Sequence, residues 1–487
     1  MTLALPDDIV SIAAGDYAEA LTITTPVTLQ GAGAGEVSLT NPDPDNAPTV
    51  LIDAADGTVT IADIGFIDED TTALQPVIHV ATDRAATLSG ITITGAPAAP
   101  STVGVHADAG SVVTIEDATI TGTGSGVLAG NSELGPDAAP AMVTINSSSI
   151  AANAVGVALV AGEATITGGS VSGSLGAGLI GYTADATFDV TGTSIIDSGD
   201  PTGGTFRGGV VIYQGGAFTG TAVTISGNDN GMMLPDGGDV TLTNSTMSDN
   251  ASEGQDAGIW GRAGSTDGEP IPLTVTITGT EITGHAIGVH VEHGQTQISD
   301  STIANNQAGV WALASSLEGS SLELTNSVVT DNDGGEAGDG TPGAGVYLEG
   351  SVDAVVTDTE LSRNAIGLFA AYAHATVTGG VIADNDWAGV FAVEEPHAQQ
   401  RTTVDLTGTS ITGNGLDADL GSLFGFGGIA LSFAASVTGS DLTIADNAGG
   451  VMVQGGSLSL TDSTISDSVR TNLDDLVGGR SPATAPS

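Results

Sequence analysis

What most restricts the fold of this chain is a repeat too short to be a domain. Apolar segments recur in one order: a Gly-Val-x-Val strand, a Thr-Ile-Thr-like run, then a Ser-x-Ile-x-x-Asn run. Gly288-Val289, Gln297-Ile298, Ser301-Thr302-Ile303 and Asn306 make one such unit; Gly367-Leu368, Thr376-Val377-Thr378, Ile382 and Asn385 make another. Leading glycines stand 21 residues apart from Gly288 to Gly309 and 22 apart from Gly367 to Gly389. That length holds three short strands and no crossover helix. A unit this small cannot bury its apolar face alone, so its Val, Ile and Leu must join those of the units above and below. The expectation is an all-β solenoid, a parallel β-helix of roughly seventeen coils with strands ~4.8 Å apart and a rod ~80 Å long.

Asparagine recurs three residues after the last apolar position of a coil, at Asn153, Asn228, Asn250, Asn306, Asn332, Asn364, Asn385, Asn414 and Asn447. Its side chain tolerates left-handed backbone and bonds neighbouring peptide groups, so a stacked column of amides should close one turn of each coil. These asparagines are assigned to structure.

Composition is even along the chain, which favours one elongated domain over residues 1–470. Residues 1–35 form its first coils or cap, 200–430 its coils with inserted loops, and 471–487 a flexible tail or linker. With 40% hydrophobic residues the chain has material for a continuous core, and its 72 glycines follow no three-residue period, so neither disorder nor collagen fits. Fifty-eight acidic residues face seven basic ones, all arginine. Nucleic acid is thereby excluded as a partner, since little here can displace counterions from phosphate. No apolar run is long enough for a membrane span, and residues 1–20 lack the regions of an export signal. The acidic surface and linker-like end suggest an extracellular or cell-surface setting, with the chain a mature fragment or a piece of a longer surface protein.

The start, Ile12-Ala13-Ala14-Gly15-Asp16-Tyr17 through Val27-Thr28-Leu29-Gln30-Gly31-Ala32-Gly33, resembles the first coils of pectin-lyase-like right-handed β-helices. Coil size and the asparagine column are similar to that superfamily too. The resemblance implies a right-handed solenoid that can host lyases, hydrolases, esterases, epimerases or non-catalytic surface proteins. The motifs of its characterised enzymes are missing: Asp-Asp pairs occur only at Asp7-Asp8 and Asp474-Asp475. Arg207, Arg262, Arg363 and Arg401 are the only cations of the 200–430 stretch that could hold a uronate. Net charge −51 disfavours such a substrate.

Alternation along the leading strand turns one residue inward and the next outward. Inward positions are apolar as expected. The outward position, however, reads Trp260, His290, Trp311, Tyr347, Phe369 and Phe391 on six consecutive coils, although aromatics are only 3% of the chain. Such a stripe suits the apolar faces of sugar rings or an apolar protein surface, including inserted loops or a second copy. Two positions further on, Arg262, Glu292, Leu313, Glu349 and Val393 also face out. Glu292, Glu349, His290 and Arg262 are therefore the candidate catalytic groups if the chain is an enzyme. His285, His290 and His293 are not expected to share a metal, because the strand and its turn point them apart. No metal site is assigned. Calcium is the one cofactor that turns such as Asn41 to Asn46 and Asp331 to Glu336 suggest, without ligands at fixed loop places.

The first functional expectation is a non-catalytic adhesin, spacer or assembly subunit acting through the aromatic stripe. The alternative is a carbohydrate-active enzyme, lyase or glycoside hydrolase, on a largely neutral glycan. An ice-binding face from Thr22–Thr24, Thr92–Thr94, Thr165–Thr167 and Thr276–Thr278 is disfavoured because these runs miss consecutive coils. Insertions at Asp249–Ala257, Gly261–Pro272, Asp333–Ala344, Glu394–Arg401 and Asn414–Gly427 are expected on one side of the rod, walling a groove.

Overall fold

A computed structural model describes residues 4–468 apart from Asp45, 69–74, 97–101, 131–138, 200–206, 251–256, 267, 316–318, 335–342, 395–400 and 417–426. Segment 471–487, expected as a tail, lies outside the described residues. Three parallel sheets of 18, 18 and 17 strands carry the fold. They begin with Ile9–Ile12, Gly15–Ala18 and Leu21–Ile23, and the chain visits first, second and third sheet in turn. The chain is a right-handed parallel β-helix of about seventeen coils, as its repeat length requires.

Each sheet stacks like on like. Ile277 pairs Ile298 and then Leu324 in the first, Ile282 pairs Ile303 and Val329 in the second, and Val289 pairs Val310 and Val346 in the third. All nine are at most 1% exposed, and they belong to one apolar core that runs from Ile23 to Ile444. Removing such a side chain to alanine would cost about 2–5 kcal/mol.

From Ala62 onward every connection from first to second sheet holds two residues. The first of the two takes left-handed backbone, as at Asp300 (φ 51°) and Asp358 (φ 48°). Residues opening the second turn do the same, at Asp331 (φ 56°) and Asp384 (φ 53°). Asp and Asn tolerate that region better than other side chains, so part of the acidic composition has a backbone cause. A hydroxyl column closes the first turn: Ser301 accepts from the Thr280 N–H at 3.1 Å and donates to the Ser299 carbonyl at 2.7 Å.

Asparagines close the second turn. Asn364 is fully buried; its Oδ1 accepts from the Asn332 backbone N–H at 3.1 Å and from Asn332 Nδ2 at 2.9 Å. Its Nδ2 donates to the Val329 carbonyl at 3.0 Å. The leading glycines pack against this column. A methyl group on Gly367 would lie 2.6 Å from the Gly389 carbonyl oxygen and 2.9 Å from Asn385 Nδ2, which is why the repeat begins with glycine.

Longer connections leave from both edges of the third sheet, not from one side as expected. Ser248 to Ala257, Thr330 to Ala344 and Thr412 to Gly427 join the second sheet to the third, whereas Arg262 to Leu273 and Glu394 to Thr403 join the third to the first. The physical reason is that the first turn holds only two residues and has none to spare, whereas the second turn takes its insertions after the asparagine, as beyond Asn332 and Asn414, and so keeps the amide column. Long connections also precede residue 200, from Ala129 to Ala141. Most insertion interiors lie outside the described residues; within Gly261–Pro272, Gly264–Thr266 pairs antiparallel with Glu269–Ile271. No helix among the described residues is long and apolar enough to cross a membrane.

The four threonine runs fall on different sheets, with Thr22–Thr24 at the third and Thr92–Thr94 on the second. Threonine pairs nonetheless align on consecutive coils of the first sheet, where Thr219 and Thr221 pair Thr241 and Thr243, and these pair Thr276 and Thr278. The register, invisible from the four runs alone, makes that column.

Candidate functional site

The outward residues of the third sheet form a ridge. Trp260 pairs His290, His290 pairs Trp311, Trp311 pairs Tyr347, Tyr347 pairs Phe369 and Phe369 pairs Phe391, one rung per coil. Their inward neighbours, from Ile259 to Val390, are buried in the core, which fixes the strand and hence the direction of each ring. Ring centroids lie 5.6 Å apart for His290 and Trp311, 4.9 Å for Trp311 and Tyr347, 4.7 Å for Tyr347 and Phe369, and 5.6 Å for Phe369 and Phe391. The second and third of these contacts are tilted or stacked, and the outer two are edge to face. Every ring is half-buried, and Trp260 and Trp311 lean on Ala257, Ile287 and Ala308, a small apolar cluster outside the coil wall.

Two polar atoms in the ridge are buried without a hydrogen-bond partner: Trp311 Nε1 and His290 Nε2. Glu292 Oε1 is 3.4 Å from His290 Nε2, too poorly aligned to bond it. Burial pushes the His290 imidazole down to about 4, so the ring is neutral at pH 7. Glu349 Oε2 accepts from the Tyr347 hydroxyl at 2.8 Å, and burial followed by that carboxylate raises the phenol.

The register brings Arg262 beside Glu292, and Glu292 and Glu349 to either side of Leu313. Arg262 is exposed, and the close polar neighbour of Glu292 is His290. Of the other arginines weighed as anion holders, Arg207 lies 3.0 Å from Asp229, and Arg363 grips Asp331 through two bonds of 2.8 and 3.0 Å. Arg401 is exposed and lies outside the ridge strands.

His285 is not part of this cluster. It occupies a rung of the amide column between Asn250 and Asn306: its Nε2 is 3.1 Å from Asn250 Nδ2, and its backbone N–H and Nδ1 meet Asn306 Oδ1 at 3.0 and 3.1 Å. Burial holds its imidazole down at about 4. His293 sits in the turn after the ridge strand, with left-handed φ of 57°. The three histidines thus occupy three settings: amide column, ridge strand and turn.

Alternation along the leading strand also carries the outward column upstream of Trp260, but not the small core that it forms there. Leu128, Ala158, Ile180, Val211 and Met233 continue the outward column upstream, and the last four close into a second small core with Tyr213 and Trp260 against it. Residues before 200 are thus more than plain scaffold. Tyr182 and Tyr213 stack with centroids 6.2 Å apart and planes 2° from parallel. They stand two residues beyond Ile180 and Val211, the offset that also finds Glu292, so the signal was present in the spacing. Burial pushes the Tyr213 phenol up to about 12.

A rod of three parallel sheets bearing one aromatic ridge defines the class: a right-handed β-helix with a line of rings along one face. The sequence model described as "Right handed beta helix region" matches residues 76–246 and 257–419, more than half the chain, and the chain belongs to that family. No curated protein matches the sequence. Among solved structures the chain is similar to the periplasmic alginate epimerase AlgG, with 10% identity over 83% of this chain and 77% of that one and a TM-score of 0.36. It is similar to the PL6-family alginate lyase AlyGC, with 9% identity over 96% and 78% and a TM-score of 0.42. A third is the catalytic unit of a GH87 α-1,3-glucanase from Streptomyces thermodiastaticus strain HF3-3, with 15% identity over 81% and 61% and a TM-score of 0.27. These likenesses concern the fold.

Proposed function

We propose that the chain is a carbohydrate-active β-helix, exported to act outside the cell, that holds an extended and largely uncharged glycan along the third-sheet ridge. One observation carries this reading. The ridge is an in-register ladder of half-exposed rings in which the indole N–H of Trp311 and the Nε2 of His290 are left without partners. Ring faces suit the C–H faces of sugars. Counting Tyr182 and Tyr213, the aromatic surface spans eight strand spacings, ~38 Å, room for several sugar units in a row. A chain of net charge −51 repels a polyuronate and leaves a neutral polymer unopposed.

Glu292 and Glu349 supply the acid and base of a hydrolytic step. They stand two coils apart across Leu313, ~9.6 Å between backbones, near the ~6.5–9.5 Å carboxyl separation of inverting glycoside hydrolysis. The test is a depolymerisation and binding screen over neutral polysaccharides with wild type, Glu292→Gln and Trp311→Ala. Oligosaccharide release lost in Glu292→Gln supports hydrolysis. Binding without release, lost in Trp311→Ala, reduces the reading to a glycan-binding solenoid. Absence of both overturns it.

The assembly-subunit reading draws on one observation: Val211 and Ile180, in the same outward column, are 0% and 7% exposed, so protein can close over such a stripe. Light scattering separates it, since a subunit acting through the ridge self-associates and Trp311→Ala weakens that association.

A further inference from the structure

The same outward column carries a second cluster six and seven coils upstream of Trp260. His79 and His106 face each other on adjacent coils, with rings 5.0 Å apart and 8° from parallel. Asp108, two residues beyond His106 and so on the same face, places Oδ2 3.0 Å from His79 Nε2 and Oδ1 3.5 Å from His106 Nε2. We propose that His79, His106 and Asp108 form a binding site for one divalent transition metal ion of the zinc type.

The geometry carries the argument. One ligand atom from each of the three residues falls within 4.8 Å of the other two. A tetrahedral ion with bonds of ~2.0–2.1 Å separates its ligand atoms by ~3.3 Å; each Nε2 has one Asp108 oxygen near that distance, Oδ2 for His79 at 3.0 Å and Oδ1 for His106 at 3.5 Å. The frame is stiff: Ile78, Val80, Val105 and Ala107, which alternate with the histidines, are all 0% exposed, and the Asp108 N–H donates to the Val80 carbonyl at 3.0 Å. Ligands on rigid neighbouring strands need little reorganisation to close on an ion.

The donor set chooses the metal class. Carboxylates alone favour calcium or magnesium, but two imidazoles with one carboxylate favour zinc and its neighbours. With His79 and His106 side chains 24% and 18% exposed, a fourth position opens to solvent, the arrangement of an ion that can still take a water or a substrate oxygen. The simpler alternative is a carboxylate that bridges two histidines for packing alone. That alternative predicts no metal affinity beyond the diffuse attraction of an acidic surface. The site is independent of the glycan reading.

Calorimetric titration of the full chain with zinc chloride, in calcium at a concentration that saturates surface carboxylates, tests the proposal. Expected is a single saturable site per chain, weakened at least about tenfold in His106→Ala and in Asp108→Asn. Cobalt substituted for zinc should show the visible absorption of a four-coordinate ion in wild type and lose it in both variants. Should His106→Ala disturb folding, judged by circular dichroism, His79→Gln keeps a polar side chain on the coil and serves in its place. Wild type without a saturable site, or correctly folded variants that bind zinc as tightly as wild type, overturns the proposal.

Discussion

His285 and His290 are five residues apart, equally pushed down to about 4 by burial, and opposite in use. In the amide column, both His285 ring nitrogens meet asparagine side chains, and the ring does the work of the asparagine found on neighbouring coils. On the ridge, the Nε2 of His290 has no partner and faces the indole of Trp311, whose N–H is also unpaired. Burial alone therefore does not separate structure from function in this solenoid. Completion of hydrogen bonds does: the inner column is closed, and the ridge is open.

The largest effect should come from breaking the closed column. Asn364→Ala strands the backbone N–H of Asn332 and removes the side-chain donor to the Val329 carbonyl, each costing ~1–3 kcal/mol, so a loss of about 4 kcal/mol is expected in thermal or denaturant unfolding. Gly367→Ala should act through the same column, by forcing a methyl against Gly389 and Asn385.

Acid comes next. Since the folded pKa of His285 lies below the ordinary value, the unfolded chain takes up protons first as pH falls. Its contribution to stability is intact above pH ~6.5 and drains away between there and about pH 4, by on the order of 3 kcal/mol. His290 adds a smaller loss over the same range, discounted for its partial exposure. His285→Asn restores the column's usual residue and should flatten the pH dependence of the melting temperature. An unchanged pH profile would show that the two histidines are not distinct in the way described.

On the open side, Trp311→Ala should leave the melting temperature almost unchanged and weaken glycan binding roughly tenfold to a hundredfold, or ~1.4–2.8 kcal/mol. If it instead destabilises the fold like a core substitution, the ridge belongs with the closed column. The smallest effect is expected of Arg262→Ala: an exposed side chain, changing stability by less than ~0.5 kcal/mol.

Much of this contrast was legible in the chain itself. The two-residue period decided which face of each strand meets the core, and the 21 to 22-residue spacing decided which residues stack, so both the asparagine column and the ridge could be placed by counting. Those are local and periodic properties, and a solenoid repeats local rules. What counting could not do was follow the turns. Counting set His285 apart from His290 but gave no sign that the turn carries it into the amide column as a rung between Asn250 and Asn306. The insertions were expected on one side; the two-residue first turn leaves them to both edges of the third sheet instead.

The sequence by itself determined the solenoid, its core and its ridge, because strand alternation and repeat length need no knowledge of distant contacts. Only the tertiary structure decided that His79 meets His106 and Asp108, and that the Tyr182 and Tyr213 rings, aligned by the spacing, lie parallel. Those partners are separated by 27 to 31 residues, and the connections between them vary in length, so only the closed coil sets how their side chains meet.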